Sequence, residues 1–370
     1  MPQQFRRFRH LALVIPFLAV VFFASGYAQM AHDSPITARP GGQETLRSYA
    51  DALHFWLGTP IQGRYWNDPK YKNILAADFN SAVSIVMFPM TQPQPGKFDF
   101  GGMDRDMSFA DAHGMKLFGA ALVYRPGGGP DWFKEQCRTW SKDKMDQVLR
   151  DQIHAVVRHG GNTFYGWEVV NEPVSPARNG CWSQVLGQDE YIARAFRYAR
   201  EAAPNAELLL NETFGHDGID KAKAREFFDL IRRLRSSGSP IDVAGIEMHL
   251  QLDGLRPSYI DEFKGFLAQA KEVGVQVQVT EMDVTLSRGD SLPDSLQKQQ
   301  EIFYNVLHTC LKDSNCTGFT TWGTGDNMRY VHSLEVSPDQ FSAEKPLLFD
   351  DNLNPKPAFA GVLEALKEGR

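Results

Sequence analysis

Glu172 and Glu281 have the settings in this chain that most favour chemistry. Glu172 closes the run Tyr165-Gly166-Trp167-Glu168-Val169-Val170-Asn171-Glu172-Pro173, where β-branched residues favour a strand and Pro173 stops it. Glu281 follows Val275-Gln276-Val277-Gln278-Val279-Thr280, in which valines alternate with polar residues, and it is expected where that strand runs out. Two strands that each end in a carboxyl suit the mouth of a barrel. A carboxyl pair is also what cleaving a glycoside requires: one protonates the leaving oxygen while the other attacks the sugar carbon. One such glutamate alone would be an ordinary surface residue, but two embedded alike point to a site.

The rest of the chain supplies elements to position that pair. Apolar runs bounded by Gly, Pro and Asn predict further strands at 54–59, 82–88, 116–124, 207–211, 242–249 and 318–322, with those above at 165–171 and 275–281. Helical spacing predicts helices at 103–113, 142–159, 189–203, 221–236, 259–273 and 294–311, and a last one at the C-terminus. Eight strand–helix repeats predict an α/β fold, a (β/α)8 TIM barrel in a single domain over 44–370. No Gly-rich phosphate loop follows the first strand, which disfavours a doubly wound dinucleotide-binding sheet.

Of 370 residues, 42% are apolar and 23% charged, as in soluble globular proteins. A net charge of −6 without a basic stripe argues against nucleic acid as a partner. Arg6, Arg7 and Arg9 precede the apolar run 11–24, and Gly26-Tyr27-Ala28 offers small residues for cleavage. Residues 1–28 are therefore expected to be a secretory signal, followed by a flexible leader at 29–43. The product would be secreted or periplasmic, with membrane contact only if the segment is retained, and is expected to act as a monomer.

In an exported chain four cysteines suggest two disulfides. Cys310 and Cys316 would close a short loop, leaving Cys137 and Cys181, although three connectivities are formally open. No Cys-x-x-Cys or His-x-x-x-His spacing occurs with them, so no metal is expected, and glycoside cleavage by a carboxyl pair needs no other cofactor. The triplets Asn211-Glu212-Thr213 and Asn315-Cys316-Thr317 match the glycosylation sequon, but one ends a strand and the other lies by a disulfide loop; both are read as incidental. Trp132, Trp140 and Trp182 could line a cleft or pack rim loops.

Several blocks together resemble glycoside hydrolase family 10, the endo-β-1,4-xylanase family, over nearly the whole mature chain. They are Trp167-Glu168-Val169-Val170-Asn171-Glu172, Gly245-Ile246-Glu247-Met248-His249-Leu250, Val279-Thr280-Glu281-Met282-Asp283-Val284, Phe319-Thr320-Thr321-Trp322-Gly323 and Pro346-Leu347-Leu348-Phe349-Asp350. The resemblance implies Glu172 as general acid/base and Glu281 as nucleophile of a retaining β-glycosidase, with a β-linked oligo- or polysaccharide as substrate. It further implies that Asn171 donates to the sugar 2-OH, that His249 holds the nucleophile, and that Trp322 lies under the sugar ring. The Cys310–Cys316 loop sits where many members carry a disulfide.

This chain also departs from the family pattern. A Glu-Asn pair and a Lys-Trp that hold non-reducing-side sugars are replaced by Ser84-Ile85-Val86-Met87-Phe88-Pro89. Arg125 stands at a His position and Glu247 at a Gln position. Arg125, a planar fork of donors, could pair with Glu247 or recognise an acidic sugar. The expectation is a retaining enzyme with intact machinery and rebuilt donor-side subsites. The competing readings are a non-catalytic carbohydrate-binding barrel and a β-glycosidase or transglycosylase acting on another glycoside.

Overall fold

The computed structural model describes residues 44–124, 128–174, 180–328 and 344–370. The expected signal and leader, and Arg125, lie outside the described residues. Among the described residues, no helix is long and apolar enough to cross a membrane.

Eight strands run parallel around the sheet: β1 Trp56–Gly58, β2 Ser81–Ile85, β3 Lys116–Ala120, β4 Phe164–Asn171, β5 Glu207–Thr213, β6 Val243–Gln251, β7 Gln276–Thr285 and β8 Cys316–Thr321. Each of β2 to β8 pairs with its neighbour in chain order, and β1 pairs with β8. The ring closes just past β1, where Ile61 N donates to Val83 O at 2.9 Å and Val83 N to Thr59 O at 3.0 Å. The connecting helices bury one face each. Lys142–Gly160 turns Met145, Leu149, Ile153, Val156 and Val157 inward at three- and four-residue spacing, and Ser141 caps it by accepting from Lys144 N. Asp220 caps Lys221–Ser236 in the same way.

Three strands differ from the expectation. The third is broken: β3 ends at Ala120, and Val123–Tyr124 resumes the pairing with β4 alone. The second stops at Ile85, and Phe88–Thr91 forms a helical turn opened by Pro89, a residue suited to the first turn of a helix and unsuited to a central strand. The seventh does not run out at Glu281 but continues to Thr285.

The barrel interior is layered. Lower in the barrel Phe118, Leu209 and Val243 pack with Tyr165, whose ring stacks on Trp56 at 4.1 Å. Cys310 is bonded to Cys316, tying helix Leu292–Leu311 to β8, and Cys137 to Cys181, joining two rim segments. Trp182 is buried there, with Phe133 at 4.5 Å, while Trp132 and Trp140 pack edge-on and tilted around Phe88 and Phe133. These tryptophans pack the rim.

Candidate active site

Strict alternation would leave Glu281 on the outer face with Val277 and Val279, both members of the core shared with the helices. A register shift prevents this. Ile246 pairs with Val279 but Glu247 pairs with Glu281, so Thr280 is an extra residue on β7. Such a bulge turns two successive side chains the same way. Thr280 Oγ1 donates to Asn211 Oδ1 at 2.7 Å, and Glu281 Oε2 meets His249 Nε2 at 3.0 Å. On β4 the pairing shifts between Glu168 and Val170, so Val169 and Val170 both join the outer core while Asn171 reaches Asn211. Glu172 follows with φ 48°, a left-handed conformation uncommon for a residue with a Cβ and often met at functional sites, and its N–H donates to Asn211 O at 2.9 Å.

The strand ends thus bring together Asn171, Glu172, Glu247, His249 and Glu281, the first two and the glutamates buried and His249 partly exposed. Trp322 lies across the mouth, 3% exposed, against Val83, Ile85 and Ala120. Three contributors were not singled out from sequence. Asn211, fully buried, is the hub: its Nδ2 is 3.0 Å from Asn171 Oδ1, 3.0 Å from Glu247 Oε1 and 3.5 Å from Glu281 Oε1. Its place at the end of the expected strand 207–211, matching Asn171 at the end of 165–171, is the available signal. Asp283, two residues beyond Glu281 on the same face, accepts from His249 Nδ1 at 2.9 Å. Glu168 is buried below Glu172 and Glu281, whose charges act on it.

So many carboxyls on one wall reshape each other's proton affinity. Burial works against a charged His249, but Asp283 and Glu281 overcome it and push its pKa up to about 10. The imidazolium is therefore the form that donates to Glu281. Burial raises the Glu281 pKa, the His249 hydrogen bond and charge pull it back down, and Glu172 raises it. Glu247 and Glu168 are pushed well above the usual carboxylate range, first by burial and then by neighbouring carboxylates. The arrangement can present one carboxylate braced by a cation, beside a second carboxyl, to a substrate entering at the C-terminal ends of the strands.

Comparison with known proteins agrees with this geometry. Residues 45–365 match the family described as Glycosyl hydrolase family 10. The chain is 30% identical over 338 residues to Endo-1,4-beta-xylanase B of Thermotoga neapolitana, an alignment covering 89% of this chain and 93% of that protein. It superposes with a TM-score of 0.78 on native xylanase 10B from Thermotoga maritima, at 30% identity, covering 88% of this chain and 98% of that one. For xylanase 10B from Thermotoga petrophila RKU-1 in complex with xylobiose the TM-score is 0.79, with the same identity and coverage. With matching motifs, barrel and strand-end carboxyls in one register, this chain belongs to glycosyl hydrolase family 10.

Proposed function

We propose that this protein is a retaining endo-β-1,4-xylanase that cleaves xylan by double displacement, with Glu281 as nucleophile and Glu172 as acid/base. The observation that carries the reading is the placement of Glu281: a bulge turns it into the barrel mouth, where His249, itself held by Asp283, donates to it. In the first step a Glu281 oxygen bonds to the anomeric carbon as the bond to the leaving oxygen breaks, and Glu172 gives that oxygen its proton. In the second, water attacks the same carbon, Glu172 takes a proton from the water, and the ester to Glu281 breaks. Asn171, positioned by Asn211, donates to the sugar 2-OH, and Trp322 supplies an apolar surface. Glu247 and Arg125 contact the sugar as further polar groups. The relatives support xylan as substrate: they are named xylanases, and the Thermotoga petrophila structure holds xylobiose. The basic and apolar start of the sequence supports export to the periplasm or medium, with the enzyme acting as a monomer.

One observation favours a second reading for the substrate. The half of the mouth formed by Val83, Ile85, Ala120 and Trp322 offers little to the hydroxyls of a sugar chain, and would suit a β-glycoside that carries an apolar group. The test is a panel of aryl β-xyloside, aryl β-xylobioside, aryl β-cellobioside and xylan, run beside Glu281→Ala, with the anomer first released followed by NMR. Xylan cleaved with retention and lost in the variant supports the proposal. Turnover confined to aryl glycosides supports the second reading, and inversion or silence on every substrate overturns both.

A further inference from the structure

The carboxyl-lined wall brings three atoms together in a way that hydrolysis alone does not need. Asn211 Nδ2 lies 3.0 Å from Glu247 Oε1 and 3.5 Å from Glu281 Oε1, which leaves the Oε2 atom of each glutamate for His249. His249 Nε2 is 3.0 Å from Glu281 Oε2 and 3.7 Å from Glu247 Oε2, and ligand atoms of the three residues all lie within 4.8 Å of one another. The other ring nitrogen is fixed by Asp283 Oδ2 at 2.9 Å. A carboxylate behind the imidazole and an amide behind the carboxylates are the outer contacts that orient the ligands of a metal ion. A tetrahedral zinc ion with bonds of about 2.0–2.2 Å keeps its ligand atoms roughly 3.3–3.6 Å apart, a spacing between the two measured from Nε2.

We propose that Glu247 Oε2, Glu281 Oε2 and His249 Nε2 form an inhibitory site for a divalent transition cation such as Zn2+. Independent support comes from Glu168. It is 2% exposed, accepts no side-chain hydrogen bond among the described residues, and interacts electrostatically with Glu281 and Glu172. Glu247, Glu281 and Asp283 all meet one imidazole, and an ion between the two glutamates and Nε2 would answer both carboxyls at once. On binding, the ion takes the Nε2 lone pair and one from each Oε2, and every proton held on Nε2 or on Glu247 leaves to solvent. His249 is partly open to the cleft, which gives the ion entry. One nitrogen and two carboxylate oxygens suit zinc and its first-row neighbours. The cation-binding claim stands without any substrate. Inhibition follows only because Glu281 is the proposed nucleophile, and that part rests on the glycosidase reading.

Calorimetric titration of the full chain with ZnCl2 tests the binding. The expected result is one saturable site, weakened at least about tenfold in Glu247→Gln, a change of the order seen when metal sites lose a supporting contact. X-ray absorption of the zinc-loaded wild type keeps the test open should that variant fold poorly: one imidazole nitrogen and two carboxylate oxygens at about 2.0–2.2 Å are expected, without sulfur. No saturable binding, an unchanged affinity in Glu247→Gln, or a shell with several imidazoles would overturn the site. If zinc binds as described but no glycoside is turned over, the site stands and the glycosidase reading fails. Zinc that binds there while leaving turnover untouched overturns the inhibitory role.

Discussion

The two halves of the barrel mouth are built from opposite materials. Strands β4 to β7 and the residue after β4 contribute Glu168, Asn171, Glu172, Asn211, Glu247, His249, Thr280, Glu281 and Asp283, and all of these but Glu168 and Glu172 have side chains tied in one hydrogen-bond network. The β8, β2 and β3 side contributes Trp322, Val83, Ile85 and Ala120 packed on one another. Among the described residues, every titratable group named at the mouth belongs to the first half. A low-dielectric wall facing a charged one strengthens each interaction within the charged wall, because apolar side chains such as Val83 and Ile85 do not compete for it. The division of labour follows: the first half decides which bond breaks, and the second decides which group fits beside it.

The sharpest way to break this comparison is to strike the charged wall. Glu281→Gln should lower turnover by at least about 10⁴-fold, the scale of losing a nucleophile that acts as part of a unit, on every substrate alike. Initial rates measured above the background of an inactive preparation check this; a loss of only a few-fold would mean that the nucleophile lies elsewhere. Glu172→Gln should cost about 10²–10⁴-fold on xylan, as removing a general acid does, and much less on an aryl glycoside whose leaving group needs no proton. Equal losses on both substrates would remove Glu172 from the acid's role.

The charged wall was only partly legible in the sequence. On β6 the alternation is regular, so Glu247 and His249, two apart, share a face as counting predicts. On β7 and β4 the same counting fails, since Val277, Val279 and Glu281 have one parity yet opposite facings. What reverses them is a single extra residue in each strand, Thr280 and Val169, and a bulge leaves no mark in composition or periodicity. The motif resemblance located Glu172 and Glu281 where counting could not. In the sequence Asn211 draws notice only through an incidental sequon at a strand end, whereas complete burial and its side-chain contacts make it the hub. The break in the third strand at Ala121-Leu122 and the helical turn at Phe88 fall in apolar runs that read equally well as strand.

The apolar half gives the next effect. Ile85→Asn puts an amide among Val83, Ala120 and Trp322, so kcat/KM on an aryl β-xyloside should fall roughly tenfold, the scale of one lost apolar contact surface, while xylobiose-based substrates hold or gain. Ratios of kcat/KM across the pair check it. If both fall together, the residue supports the fold rather than selecting substrate.

Two smaller effects read the charges through stability. His249 has its pKa raised to about 10, above the unfolded value near 6.5, so its stabilisation is complete below about pH 6.5 and is lost as pH rises through 10. Asp283→Asn removes the partner on Nδ1, and the fall in Tm relative to wild type should be larger at pH 6 than at pH 10. An equal fall at both would place the effect in packing instead.

Glu207, at the other end of the barrel from the site, isolates what burial does to a carboxyl without a facing cation. Gln278 Nε2 donates to its Oε2 at 2.7 Å, yet burial pushes its pKa up to about 7. The folded state therefore holds that proton more tightly than the unfolded chain does. The resulting cost is absent below about pH 4.3, the unfolded value, grows as pH rises, and is complete above pH 7. Glu207→Gln keeps an oxygen for Gln278 and removes the charge, so it should raise Tm by a degree or two at pH 8, of the order expected for a fraction of the cost in a domain this large, and leave it unchanged at pH 4.5. A gain at both pH values would show that the amide simply packs better. A loss at pH 8 would show that the ionised carboxylate is stabilised there, in which case the contrast between braced and unbraced carboxyls could not explain why His249 sits beside Glu281.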